Sequence, residues 1–280
     1  MIDAPKPGIY PGVPFDVYKE WDAVNNSLLT VIDTKSPAHA KEYRDNPREQ
    51  TQAMREGEIF HTMVLEPDLF NDRYAISPVF NKRTKQGKAD YEQWLTDIGD
   101  KKEVSQDEVD LAKNLLEGIR RHSGAKTYLD EGVAEVCIVW IDKITGILCK
   151  ARLDLVHKAF SVIVDVKKIL DASPDGFAKS LHNYRYYQQS AFYHDGMVAL
   201  TKHEWSFVFV PVEKSPPFCA AVYEVNDPTL LAGRRAYQRA LRKIKKCMAL
   251  DEWPGYSEAE MLDLPEWALK REGVVPEAVL

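Results

Sequence analysis

Up to about residue 125 the apolar positions of this chain fall mostly at helical spacing, and beyond it they alternate. Residues 1–26 hold several Gly, Pro and Asn and read as irregular. "LLTVIDTK", capped by Ser27, predicts a short helix ended by Ser36-Pro37, and "AHAKEYRD" predicts a second. "TQAMREGEIFHTMVLEPDLF" is a stronger helical stretch, with Met54, Ile59, Met63 and Val64 near helical spacing and Pro67 closing it. The polar "NKRTKQGKADYEQW" predicts a loop or lid. "SQDEVDLAKNLLEGIRRHSGA" predicts an amphipathic helix, with Ser105 as cap and Glu108 at the capping-box position.

Then the period changes to two. "VAEVCIVWID", "ILCKARLDLVH" and "SVIVDVKKI", joined by the short turns "KITG" and "KAF", predict an antiparallel meander. A helical stretch from Ser173-Pro174 to about residue 200 follows, then the apolar strand "EWSFVFVPVE". A last strand, "CAAVYEV", leads to a helix over 227–250. The strand–helix–strand order implies a right-handed crossover. Helix, three strands, helix, strand describes an α/β fold: a mixed, α+β-type sheet flanked by helices. The expected organisation is a single domain over 1–260, with a helical elaboration over 1–50 and a tail over 261–280 that holds Pro265 and Pro276.

Composition narrows the classes. A chain of 280 residues, 45% apolar, buries a large core. A net charge of −6 with 29% charged residues excludes a fibrous or disordered chain and makes any nucleic-acid surface a local one. Cys137, Cys149, Cys219 and Cys247 are scattered without a CxxC, which argues against a disulfide framework or an iron–sulfur cluster. The N-terminus has no signal-peptide pattern, and no apolar run approaches the roughly 18 residues that span a bilayer. The expected location is cytoplasmic, away from membranes.

The charged pair inside "SVIVDVKKI" raises a chemical question, because buried charges are costly unless paired or metal-bound. Alternation places Val162, Val164 and Val166 on one face and Ile163, Asp165 and Lys167 on the other. The neighbouring strand has Asp154 on the face of Lys150 and Arg152, opposite Leu153 and Leu155. The hairpin can bring the two aspartates together, and a divalent cation would relieve their repulsion; hard oxygen ligands suit Mg²⁺ or Mn²⁺. Taken alone, Asp165-Lys167 also fits an ion-paired strand end, since Asp33-Lys35 and Asp100-Lys102 repeat the spacing in polar context. The apolar strand, the upstream acid and the following helix set the first pair apart.

These residues resemble the PD-(D/E)XK nuclease superfamily, and within it the nuclease domain of exodeoxyribonuclease VIII, the RecE-like phage recombination exonucleases. "GEIFHTMVLEP", "TGILCKARLDLV", "VDVKK" and "YYQQSAFYHDG" carry the resemblance, which spans roughly residues 27–210. It implies a restriction-endonuclease-like core. It places a helix histidine at His61, aspartates at Asp154 and Asp165, a lysine at Lys167 and a Q-x-x-x-Y helix at Gln189 and Tyr193. One departure is Lys168, where the family commonly has threonine. The implied activity is metal-dependent 5′→3′ digestion of duplex DNA ends, leaving 3′ single-stranded tails for recombination. The implied partner is a RecT-like single-strand annealing protein, and the implied assembly a homo-oligomeric ring of three or four copies.

On that reading His61, Asp154, Asp165 and the Val166 carbonyl hold one or, more fully, two Mg²⁺ ions about 4 Å apart. Lys167 positions the water or neutralises the phosphate, and transfers protons second. Gln189 and Tyr193, four apart, share a helix face that reaches the water or the phosphate, or forms a polar rim. Glu135 stands as an outer acid or a plain strand residue. Lys82, Arg83, Lys85 and Lys88 are the expected DNA contacts, and "RRAYQRALRKIKK" is a second basic run. The alternatives are a restriction-type or RecB-like endonuclease and a non-catalytic DNA-binding module.

Overall fold

The computed structural model describes residues 2–46, 50–130, 132–256, 259 and 261–274. Its centre is a six-stranded mixed sheet built from β1 (Gly8–Tyr10), β2 (Val133–Ile141), β3 (Leu148–His157), β4 (Val162–Ile169), β5 (Ser206–Glu213) and β6 (Tyr223–Glu224). Their spatial order is β6-β5-β4-β3-β2-β1. β2, β3 and β4 form the predicted antiparallel meander, and β5 returns parallel to β4, pairing Asp165 with Phe209 and Lys167 with Pro211.

Helices cover both faces. The main ones are α1 (Asn26–Thr34), α2 (Pro37–Asp45), α3 (Gln52–Leu65), α4 (Lys85–Asp97), α5 (Gln106–Arg121), α6 (Pro174–Asn183), α7 (Tyr186–Thr201) and α8 (Asp227–Leu250). On one face Ile163, Phe207 and Phe209 pack with Leu29, Phe192 and Leu241 from α1, α7 and α8. On the other, Val164, Val166, Val208 and Val210 pack with Ile59 and Phe60 of α3 and Leu115 and Ile119 of α5. Full burial of each such side chain contributes roughly 1.5–3 kcal/mol, so the two layers hold the meander rigidly between them. Among the described residues no helix is long and apolar enough to cross a membrane.

Several elements differ from their sequence expectation. α1 is capped by Asn25, whose side chain accepts from Leu28 N at 2.9 Å, rather than by Ser27. The stretch expected to be a loop at 82–88 turns helical at Lys85: Thr84 caps α4 through Gly87 N at 3.0 Å. The predicted 173–200 helix is two helices, α6 and α7, that meet at Arg185 in the left-handed region, φ 57°. "CAAVYEV" keeps strand pairing at Tyr223–Glu224, with an isolated bridge at Ala220. The irregular N-terminus contributes β1, which pairs with β2. Pro276 lies outside the described residues.

Candidate active site

The site forms where β3 and β4 part. Their ladder pairs His157 with Val162, Val156 with Ile163 and Leu155 with Val164. The next positions in that register are Asp154 and Asp165. There β3 turns away, and the freed backbone N–H of Val166 donates to Asp154 Oδ2 at 2.8 Å.

The alternation expected along β3 breaks at the same point. Leu153 packs in the cluster with α7 and α8, whereas Leu155, two residues on, packs with α3 and α5. In a regular strand both would share a face, so Asp154 does not simply lie opposite both leucines. On β2 the residue opposite Asp154 is Glu135, which has φ 53° and is missing from a ladder that otherwise keeps its register, from Ala134–Leu155 to Val136–Leu153. The sheet is thus interrupted on both strands at this point, where Asp154 turns to the Val166 N–H and His61.

From α3, His61 Nδ1 comes to 3.7 Å from Asp154 Oδ2. Lys167 Nζ forms an ion pair with Asp165 Oδ1 and lies 5.0 Å from the centre of the Tyr186 ring. Gln189 of α7 donates to Asp165 Oδ2 at 2.7 Å. Tyr193, one turn on, packs beside Phe207, its ring centre 6.5 Å away. Glu135 ion-pairs with Arg152. His61, Asp154, Asp165, Val166, Lys167 and Gln189 thus form one constellation, flanked by Tyr193 and Glu135. Lys82, Arg83, Lys85 and Lys88 do not join it: they are exposed, on and before α4, and Lys82 Nζ lies over the Tyr91 ring, 3.3 Å from its centre.

Residues 18–264 match the family described as a PDDEXK-like domain of unknown function, DUF3799. The chain belongs to that family. This DUF3799 chain therefore has a PD-(D/E)XK-type fold with the mixed α/β sheet described above. A crystal structure described as that of a "Putative exonuclease" from Eubacterium rectale aligns at a TM-score of 0.62 and 15% identity, covering 93% of this chain and 96% of that one. The likeness is one of fold. The crystal structure of SSO0001 aligns at a TM-score of 0.29 and 16% identity over 81% of this chain and 98% of its own, too weakly for any argument. No curated protein matches the chain.

The electrostatics follow from burial. Burial pushes the Asp165 carboxyl up to about 6 and the Asp154 carboxyl above its ordinary range, although Lys167 opposes both shifts. One ammonium is shared between two acids and cannot fully compensate either. Burial alone would lower Lys167, but Asp165 and Asp154 outweigh it and hold the ammonium charged. Burial, then Lys167, depresses His61 to about 4, so its imidazole is neutral at pH 7. Burial lifts Glu135 to about 7 against the attraction of Arg152. Burial also keeps the Tyr193 phenol protonated.

The DUF3799 site contains partners that the sequence did not flag. Tyr186 abuts Lys167, Arg152 holds Glu135, and Lys168 reaches Glu56 on α3. Charge at Arg152 and Lys168 was visible, but their mates lie 17 and 112 residues away. Among the described residues no three His, Cys, Asp or Glu groups already stand as a ligand cluster. His61 and Asp154 adjoin, but the Asp165 carboxylate is turned to Lys167 and Gln189.

Proposed function

We propose that this chain is a divalent-metal-dependent exodeoxyribonuclease that digests linear duplex DNA from its 5′ ends and leaves 3′ single-stranded tails. The observation that supports it most is the meeting of Asp154 and Asp165 at a strand parting, with Lys167 held charged beside them. The likeness of "VDVKK" and the Q-x-x-x-Y helix to the RecE-like exonucleases supports the polarity.

The residues fit a hard cation. Asp165 Oδ1 is buried and meets the Lys167 ammonium alone, and the groups beside it are carboxylate oxygens and a neutral imidazole, a donor set that suits a hard cation. Asp154, Asp165, His61 and the Val166 carbonyl would hold Mg²⁺ or Mn²⁺, in one or two copies. Such an ion supplies Lewis acidity and lowers the pKa of bound water.

The chain's own residues do the rest. Val166 N–H fixes Asp154, and Gln189 fixes Asp165. Lys167, which Asp165 and Asp154 hold charged, would attract the scissile phosphate and offset the charge that develops on it, with proton transfer as a second role. The four basic residues at 82–88 would meet phosphates beyond the site. A single-strand annealing protein is the proposed partner for the exposed tail, and a ring of identical copies the proposed assembly.

Digestion of linear duplex labelled at either end tests this reading. With Mg²⁺, the 5′ label should be released first as short product, and closed circular DNA should survive. Earlier release of the 3′ label would reverse the polarity, and cutting of the circle would make the chain an endonuclease.

A further inference from the structure

A ladder of aromatic rings runs from the sheet to the surface beside the site. Tyr223 of β6 stacks on Phe177 of α6, with ring centres 5.0 Å apart and planes 10° apart. Phe177 stacks on Tyr186 at 6.4 Å, and Tyr186 on Tyr184 at 5.6 Å. Phe177 is buried, whereas Tyr184 is 60% exposed. Tyr186, the third ring, is the one that abuts Lys167.

The corner between α6 and α7 fixes the last two rings. Arg185 sits between the two tyrosines in the left-handed region, which is strained for a residue with a side chain. Its guanidinium is held by Asp33 and by Gln188 Oε1, with Nε at 3.1 Å from the amide oxygen. Asp33 is itself gripped by Arg239 at 2.6 and 2.8 Å. An exposed ring is thus stacked on a ring that touches the site lysine, on a backbone turn that ion pairs lock in place. A packed ring of this kind loses little freedom when a second flat group lies on it.

We propose that the exposed face of Tyr184 receives an unpaired nucleobase of the DNA strand whose phosphate lies at Lys167. The occupant follows from the neighbours. The cation one ring away calls for a phosphate, and the flat apolar surface calls for a π-system joined to it. Stacking of this kind is worth about 5- to 150-fold in affinity per base and tolerates any sequence. The inference rests on the nuclease reading and adds to it a base-holding position that the D-x-K chemistry does not require.

The test uses the full chain carrying Asp165→Ala, so that DNA binds without being cut. Duplexes with a short unpaired 5′ end carry 2-aminopurine at successive positions from the terminus. One position should lose fluorescence on binding. Adding Tyr184→Ala or Tyr184→Leu should restore the fluorescence and weaken binding about 5- to 150-fold, while Tyr184→Phe should behave as the parent. The leucine keeps apolar bulk without a flat ring, so it separates stacking from packing. Unchanged quenching and affinity in both the alanine and leucine proteins would overturn the inference. Mg²⁺-dependent cleavage by the wild type is read separately. Cleavage without Tyr184-dependent quenching removes the stacking role alone, and quenching without cleavage keeps that role while removing the nuclease reading.

Discussion

Asp154 Oδ2 accepts the Val166 N–H at 2.8 Å, which ties the acid of β3 to the strand that bears Asp165 and Lys167. That bond replaces the ladder pairing the two strands abandon there. It converts a break in the sheet into a fixed spacing between two carboxylates.

The proton balance of the site gives the first prediction. Asp165 is raised to about 6, so near pH 6 it is about half protonated. Binding of a divalent cation requires the ionised form and expels the proton. Calorimetry of Mg²⁺ binding at pH 6 in buffers of different ionisation enthalpy should show proton release, fading toward pH 8. The Asp165→Asn protein should release fewer protons, with Asp154, also raised by burial, as the remaining source.

Lys168 gives the second. Its ammonium ion-pairs with Glu56 on the helix of His61, at 11% and 26% side-chain exposure. Glu56→Gln leaves a largely buried lysine without its anion and should cost about 1–3 kcal/mol. Thermal melts should show Tm lowered by a few degrees. Lys168→Thr, which removes the charge as well, should cost less.

How far the sequence could be read follows from these residues. The meander was legible because period-two apolar runs are local, and Asp165 and Lys167 share a face by alternation alone. The break at Asp154 was not: it lies opposite a left-handed Glu135, and glutamate carries no signal for that conformation. The corner at Arg185 was hidden for the same reason: no Gly or Pro marks it, and its lock, Asp33, lies 152 residues away. α4 read as a loop because a solvated polar helix and a polar loop share a composition; its cap, Thr84, was the available signal. His61, Gln189 and Asp154 meet from three elements, so only resemblance to a family could join them in advance.

Gly233 gives the third prediction. α8 crosses the first turn of α7 so closely that a Cβ on Gly233 would meet Tyr187 O at 1.9 Å. Gly233→Ala must push the helices apart, at about 1–3 kcal/mol. Because that turn presents Tyr186 and Gln189 to the site, kcat should fall together with Tm. A protein that melts lower but turns over normally would show that the turn does not position the site.

Glu108 gives the fourth. Burial would raise its carboxyl, but Arg55 and the Ser105 N–H and O–H outweigh burial and hold it at about 2. A depressed carboxyl stabilises the fold above its unfolded pKa of roughly 4.3, and that stability is lost as pH falls through 2. Glu108→Gln should therefore lower Tm at pH 7 by the equivalent of about 0.5–2 kcal/mol, as loss of a cap does. The difference should shrink between pH 4 and pH 2.

The most direct measurement is release of acid-soluble nucleotides from linear duplex DNA with Mg²⁺ and with EDTA, by the wild type, Asp165→Ala and Lys167→Ala. The site described here predicts Mg²⁺-dependent release by the wild type and a loss of at least about 10²-fold in each variant, the scale on which a charge-stabilising group acts. Release that persists in EDTA, or that is equal in wild type and Asp165→Ala, would contradict it.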